Sequence, residues 1–359
     1  MTGERSGPAA LSRAGLAALS VPYALVMRAN LAIYERKLKA RTTPALPVAS
    51  VGNITLGGTG KTTTTRRLVR ELLARGVRPG IVLRGHKRDA DHPWQLASDG
   101  TKLLIDPEVA GDEAAMLAST AHGAPIAVGK RRERVIELLA DTGAQVAVLD
   151  DGFQYFRMER AVDLVLVDAT FDLANARVFP AGYLREPLDH LRRATHVLIT
   201  HADIAPEGQV DRTREVLAEH APHAPVMLSR HAPSGFYSLD APEDQRPPGD
   251  LHGMKVLAMS AVGNPGSFER VLSSLGAEVA GAQVFPDHHA YHPSDWAEVR
   301  EALNQVDADA IVVTEKDAVK LPSPPDDLPP VAALAVDLSI IEGEDRWDEC
   351  VGRVEQAAR

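Results

Sequence analysis

The sequence has a single cysteine, Cys350, in 359 residues. No internal disulfide or cysteine metal cluster can form, a usage that suits a reducing compartment. Aromatic residues are scarce, at 4%. An uninterrupted apolar run of about 18 residues is missing, so no bilayer-spanning segment is predicted. Basic charge is in deficit, with a formal net charge of −10. A general nucleic-acid binder is usually basic, so no nucleic-acid partner is expected. No short-period solenoid repeat is present. What remains is 45% hydrophobic and 25% charged, which excludes wholesale disorder and collagen-like order. The length admits one large α/β unit or two domains of ordinary size.

The basic residues that exist are concentrated at the start. Residues 1–41 carry Arg5, Arg13, Arg28, Arg36, Lys37, Lys39 and Arg41 against Glu4 and Glu35, a net +5 that leaves −15 for the rest. Between Arg13 and Arg28 lies the uncharged stretch Ala14 to Met27, interrupted by Ser20 and Pro22 and too short to span a bilayer. Its composition would suit a signal peptide, but no clear small-x-small cleavage site follows. Two readings stay open: a helix packed on the domain with a solvated basic end, or an interfacial amphipathic helix whose cations face anionic lipid.

Downstream, apolar strands alternate with helical patterns. Strands are predicted at 46–52, 79–83, 125–128, 145–149, 164–167 and 196–200, with a helix over 62–74 stopped by Gly76. This order means a mostly parallel sheet covered on both faces, a P-loop NTPase-like α/β fold. Residues 222–252 are dense in Pro, Gly and Asp and read as turn and linker. A second, smaller α/β pattern follows, with strands at 255–259, 282–284 and 310–314. The expected organisation is a basic surface helix over 1–42, a nucleotide-binding domain over 43–230, a hinge over 231–252 and a second domain over 253–359.

The strongest local signal is Val51-Gly-Asn-Ile-Thr-Leu-Gly-Gly-Thr-Gly-Lys-Thr62, which follows a strand and opens a helix. Thr55 stands where the strict phosphate-loop pattern has its first glycine. Gly57, Gly58 and Gly60 still permit close backbone approach. The backbone from Thr55 through Leu56, Gly57, Gly58, Thr59, Gly60, Lys61 and Thr62 to Thr63 is therefore expected to cradle the phosphates of ATP or GTP. Lys61 should reach the β and γ phosphates, and the Thr62 hydroxyl should hold Mg²⁺. Asp150 and Asp151 end an apolar strand, where one carboxylate is placed to serve Mg²⁺. Asp112, before a helical pattern, is a good N-cap.

Several blocks together resemble the tetraacyldisaccharide 4′-kinase (lipid A 4′-kinase) family. They are the phosphate loop, Gly111-Asp-Glu113, Asp150-Asp-Gly-Phe-Gln154, Pro180-Ala-Gly-Tyr-Leu-Arg-Glu-Pro187, Gly263-Asn-Pro265, Asp287-His-His289 and Thr314-Glu-Lys-Asp317, in that order over most of the chain. The resemblance implies transfer of the ATP γ-phosphate to the 4′-hydroxyl of an acylated glucosamine disaccharide 1-phosphate, at the cytoplasmic face of the bacterial inner membrane. It implies that Asp112 is the catalytic base and that His288 pairs with it, bringing the second domain onto the first. It places Arg132 and Arg185 near the phosphates, and Glu186 near Mg²⁺ or the acceptor.

A different class also suits the glycine loop and the strand-end aspartates: a GTP- or ATP-driven switch or metallochaperone. Thr200-His-Ala-Asp203 partly matches a GTPase base-reading block, with His201 in place of its lysine. The chain departs from the resembled family at Thr63, Leu83, His86, Lys87 and Tyr155, which bears on contacts to the acceptor.

Overall fold

The computed structural model describes residues 8–85, 93–263, 265–287 and 289–359, and the side chains among them except 8–14, 108 and 243. His288, Asn264, His86 and Lys87 lie outside the described residues, as does the side chain of Arg13.

Helix α1 (Pro8–Glu35) runs unbroken through Ser20 and Pro22. Its segment Gly15–Glu35 has a mean hydropathy of 1.5 and is long and apolar enough to cross a membrane by length and composition. The expectation of too short a stretch is thereby revised, because the helix carries past Arg28 through Leu31, Ile33 and Tyr34. One face is tied down. Ser20 Oγ donates to Val178 O at 2.9 Å and Tyr23 Oη to Arg185 O at 3.0 Å. Arg28 meets Asp189 at 3.2 Å, Glu35 meets Arg192 at 2.8 Å, and Leu31 is fully buried. The other face exposes Leu19, Val21, Leu25 and Val26, each about 60% accessible or more.

The remaining elements follow in chain order: β1 (Val48–Asn53), α2 (Lys61–Ala74), β2 (Pro79–Leu83), β3 (Trp94–Ser98), α3 (Pro107–Ala110), α4 (Asp112–Thr120), β4 (Ile126–Gly129), α5 (Arg132–Asp141), β5 (Val146–Asp150), β6 (Val162–Asp168), β7 (His196–Thr200) and α6 (Gln209–His220). Then come β8 (Val226–Ser238), β9 (Ala241–Arg246), β10 (Lys255–Ser260), α7 (Pro265–Ser274), β11 (Glu278–Val284), α8 (Trp296–Leu303), β12 (Ala310–Thr314), α9 (Glu315–Ala318), β13 (Val331–Glu342) and α10 (Glu344–Ala358). The chain divides into two compact units. The first comprises the chain up to Ile105, Leu117–His231 and Leu338–Arg359; the second comprises Asp106–Met116 and Ala232–Asp337.

In the first unit the strand order is β8–β7–β6–β1–β5–β2–β4–β3, parallel except for β3 at the edge. Strands β1, β5, β6 and β7 are buried along their whole length, as continuous apolar runs in a doubly covered parallel sheet should be. The register pairs Val51 with Asp150, so the ends of β1 and β5 emerge together at the carboxyl edge. Beside them β6 ends at Asp168 and β7 at Thr200. Ligands of open α/β sheets bind in the crevice at this edge.

Residues 338–359, expected in the second domain, pack within the first unit. Helix α10 buries Trp347, Cys350, Val351 and Val354, an i, i+3, i+4, i+7 stripe. Trp347 Nε1 donates to Glu71 on α2 at 2.8 Å, and Arg75 holds Asp348 and Glu355. Burial pushes the Cys350 thiol up to about 12, which makes it an inert core residue.

The second unit orders its parallel strands β11–β10–β12–β13, over a core of Leu257, Met259, Trp296, Val299, Ile311 and Val313. The segment read as a hinge is structured. Part of it forms β8, which pairs with β9 in antiparallel fashion. Among the described residues strand β9 pairs with β8 alone, so its Pro242 costs no inner ladder bond. Gly235 is required there, since a Cβ would stand 2.7 Å from Arg246 O across the hairpin.

Candidate active site

The phosphate loop leaves β1 at Asn53 and enters α2 at Lys61. Its departure from the strict glycine pattern has a local cause. Thr55 is 2% exposed and forms an antiparallel bridge with Leu184, so it sits in ordinary extended backbone. The turn comes later, at Gly57 with φ 108° and Gly60 with φ 78°, values that favour glycine. Leu56, Gly57 and Gly58 are exposed, whereas Thr59 is buried. Leu56 N donates to Tyr183 O at 2.7 Å, which ties the loop to the 180–187 segment. Thr62 follows Lys61 in the first turn of α2, half-buried at the helix N-terminus, where anions are favoured.

Charged groups gather around this loop in the first unit. Lys61 Nζ lies 3.8 Å from Asp151 Oδ1. Arg185 forks onto the same carboxylate at 2.6 and 3.1 Å and donates to Asn53 Oδ1 at 3.0 Å. Asp151 follows β5 with φ 57°, a conformation aspartate tolerates better than most residues, and this turns its carboxylate toward the two cations. Burial pushes the Asp151 carboxyl up, but Arg185, Lys61 and Arg132 together hold it below the usual carboxylate range. Arg132, the first residue of α5, is 4% exposed and donates to Gly129 O at 2.9 Å. Burial lowers its pKa, opposed by Tyr155, whose ring centroid is 5.7 Å away, and by the Asp151 carboxylate. The structure thus brings Lys61, Asp151, Arg185 and Arg132 together. Asn53 belongs with them and carried no recognisable sequence signal.

Glu186 goes elsewhere. It is fully buried and bonded to His190 Nδ1 at 2.6 Å and Arg193 Nη2 at 2.7 Å. Arg193 in turn lies over the Phe153 ring at 3.9 Å. A carboxylate held this way braces the loop beneath Arg185; both contacts run through Oε2, and Oε1 is buried with no hydrogen-bond partner among the described residues. Thr62 and Asp150 fit Mg²⁺ better. Asp150 is buried at the end of β5, and one hydroxyl plus one carboxylate is the donor set Mg²⁺ uses alongside phosphate oxygens. Among the described residues, no group of three His, Cys, Asp or Glu side chains is arranged to hold a metal. His201, considered above as part of a base-reading block, faces inward, with Nδ1 3.0 Å from Asp168 Oδ2.

In the second unit Asp112 opens α4, and Lys320 Nζ lies 3.8 Å from its Oδ2. Lys320 also stands 3.5 Å from the buried Asp317 and 5.5 Å from the Tyr291 ring. The Thr314-Glu-Lys-Asp317 block is a helix cap: Thr314 Oγ1 accepts from Asp317 N and donates to Asp317 Oδ2 at 2.7 Å. His289 stacks on Phe285 and bonds Asp295 at 2.8 Å.

The family model for tetraacyldisaccharide-1-P 4′-kinase (LpxK) matches residues 12–355. The tetraacyldisaccharide 4′-kinase of Anaeromyxobacter sp. strain Fw109-5 is 37% identical over 322 residues, covering 88% of this chain and 84% of its own. That of Desulfotalea psychrophila is 35% identical over 312 residues, covering 87% and 88%. Among solved structures, LpxK from Aquifex aeolicus in complex with ATP superposes with a TM-score of 0.78 at 25% identity, over 95% of this chain and 99% of that one. A glycine loop ringed by Lys61, Asp151 and Arg185, the ordered sequence blocks and a match over almost the whole length agree, and the chain belongs to the tetraacyldisaccharide-1-phosphate 4′-kinase family.

Proposed function

We propose that this chain binds ATP and Mg²⁺ at residues 55–63 and transfers the γ-phosphate to the 4′-hydroxyl of an acylated glucosamine disaccharide 1-phosphate at a membrane surface, in lipid A biosynthesis. The observation that carries this reading is the Lys61–Asp151–Arg185 cluster beside the glycine loop, in a chain of a kinase family. Phosphoryl transfer needs positioning and charge neutralisation more than covalent help. The loop amides and the α2 N-terminus receive the phosphates. Lys61 exchanges its contact with Asp151 for phosphate oxygens, and Arg185 and Arg132 offset the charge spread over the transferring group. Thr62 and Asp150 would hold Mg²⁺, which would supply positive charge to offset the charge developing on the transferring group. Asp112 accepts the proton of the attacking hydroxyl. Incubation of the purified protein with Mg²⁺ATP and the acylated disaccharide 1-phosphate should yield a 4′-phosphorylated lipid; product from GTP alone, or none, would reject this reading.

The exposed face of α1 supports membrane association. Leu19, Val21, Leu25 and Val26 are solvent-exposed, and Lys37, Lys39 and Arg41 follow at the helix end. A groove of about 290 Å³ between α1 and residues 177–181, lined by Ala17, Val21, Ala24, Leu25 and Val178, offers an apolar bed beside the loop that carries Arg185. Replacing the four exposed apolar residues by Ser leaves the tethering contacts intact. It should weaken sedimentation with anionic vesicles by roughly tenfold or more. The residual binding should fall further with salt. Undiminished binding of the variant would remove the role assigned to α1.

A further inference from the structure

Three adjacent strands of the first unit deliver side chains to the last turn of the phosphate loop. Asp168 ends β6, His201 follows β7, and His231 lies on β8. Asp168 accepts from Thr170 N and Oγ1 at 2.8 and 2.7 Å, and its Oδ2 is 3.0 Å from His201 Nδ1. The His201 and His231 rings lie against each other with centroids 4.7 Å apart and planes tilted by 38°. His231 Nε2 lies 2.7 Å from Thr63 Oγ1, which donates to Gly60 O at 2.9 Å. With the Thr63 hydroxyl donating to Gly60 O, the hydrogen shared between Thr63 and His231 is assigned to His231 Nε2. The ring also fills the space beside Gly60, where a Cβ would stand 2.3 Å from His231 Cε1 and Nε2.

We propose that His231 is a positioning residue for the nucleotide: its Nε2–H on Thr63 and its ring against Gly60 hold the loop in the shape that receives the phosphates. Neither atom touches the ligand, and the effect is preorganisation of residues 57–62. Asp168 and His201 set the orientation of the ring from behind. The Nε2–H donor is present in the neutral imidazole, the form the surroundings favour, since burial and then His201 push the His231 pKa down to about 4, with Asp168 opposing and Arg66 adding to the shift.

The inference rests on ATP binding at the loop, and the test separates the two. ATP titration and steady-state kinetics on the wild-type full chain establish the first; wild type without affinity for ATP would sink the nucleotide reading itself. With wild type active, His231→Ala should raise KM for ATP about tenfold, the worth of one lost hydrogen bond and its packing. The acceptor KM should stay within about twofold and kcat should fall less than about threefold, because an ordered loop is the same loop in the transition state. His231→Gln, which returns an N–H donor, should recover most of the loss. Thr63→Val should reproduce the rise on its own, and the double variant should be no worse than either single one. An unchanged KM for ATP in both singles, additive losses in the double, or matched changes in kcat and acceptor KM would overturn the proposal. Should His231→Ala fail to fold, Thr63→Val and His231→Gln carry the same decision.

Discussion

Lys61→Met should abolish turnover, lowering kcat/KM by about 10³-fold or more, while leaving the melting temperature almost unchanged. The asymmetry follows from where the residue sits. Lys61 is the first residue of α2, its side chain is 17% exposed, and among the described residues its ion pair is the 3.8 Å contact to Asp151. Methionine keeps the length and apolar stem of the side chain and removes the charge. Asp151 retains the Arg185 fork at 2.6 and 3.1 Å, so the fold loses only a long, partly solvated ion pair, worth under about 1 kcal/mol. The γ-phosphate, by contrast, loses the cation that should follow it through the transition state, in a crevice where each charge counts for more than in water. Arginine does not substitute, because a planar fork cannot take the place of a compact point charge at the head of a glycine loop. Turnover by Lys61→Met within tenfold of wild type would mean that the phosphates bind elsewhere.

The second large effect is expected at Asp112. Asp112→Asn should lower kcat by about 10²–10⁴-fold with KM for ATP and acceptor changed far less, the pattern of a group that acts on a proton in transit. Asparagine has the same shape at the first position of α4 and removes the basic carboxylate oxygen. The neighbouring Lys320, 3.8 Å from Asp112 and 3.5 Å from Asp317, supplies an internal control. If Asp112 served merely to satisfy that lysine, Asp112→Asn would move the melting temperature and spare kcat. A full kcat with a lowered melting temperature would therefore assign Asp112 to the architecture of the second unit and leave the base unidentified.

Local chemistry made much of this legible in the sequence. Strands 79–83, 196–200 and 310–314 end where the apolar, β-branched runs end, because Pro, Gly or a polar turn bounds each of them. The glycine loop was readable because strand, turn and helix start are contiguous. Residues 231–252 were misread for an equally local reason: Pro and Gly density signals a turn unless a cross-strand partner exists, and the partner of β9 is the preceding strand. Helix α10 was passed over because its apolar stripe is spaced among seven charged side chains of 344–358 and declares itself only against α2. The family resemblance places Glu186 near Mg²⁺ or the acceptor. What the sequence does not show is that the Glu186 side chain is fully buried, against His190 and Arg193.

The sequence by itself determined the chemistry available at the carboxyl edge of β1: glycines at 57, 58 and 60, a cation at 61, hydroxyls at 62 and 63, and carboxylates at 150 and 151. Only the tertiary structure decided which of these meet. Parallel strands need long crossovers, so the residues that share one sheet edge are scattered along the chain, and Thr63 and His231 are 168 positions apart. Burial then settled their roles, since enclosure with a partner turned Glu186 into a brace and left His231 neutral against the loop, distinctions that residue type alone does not carry.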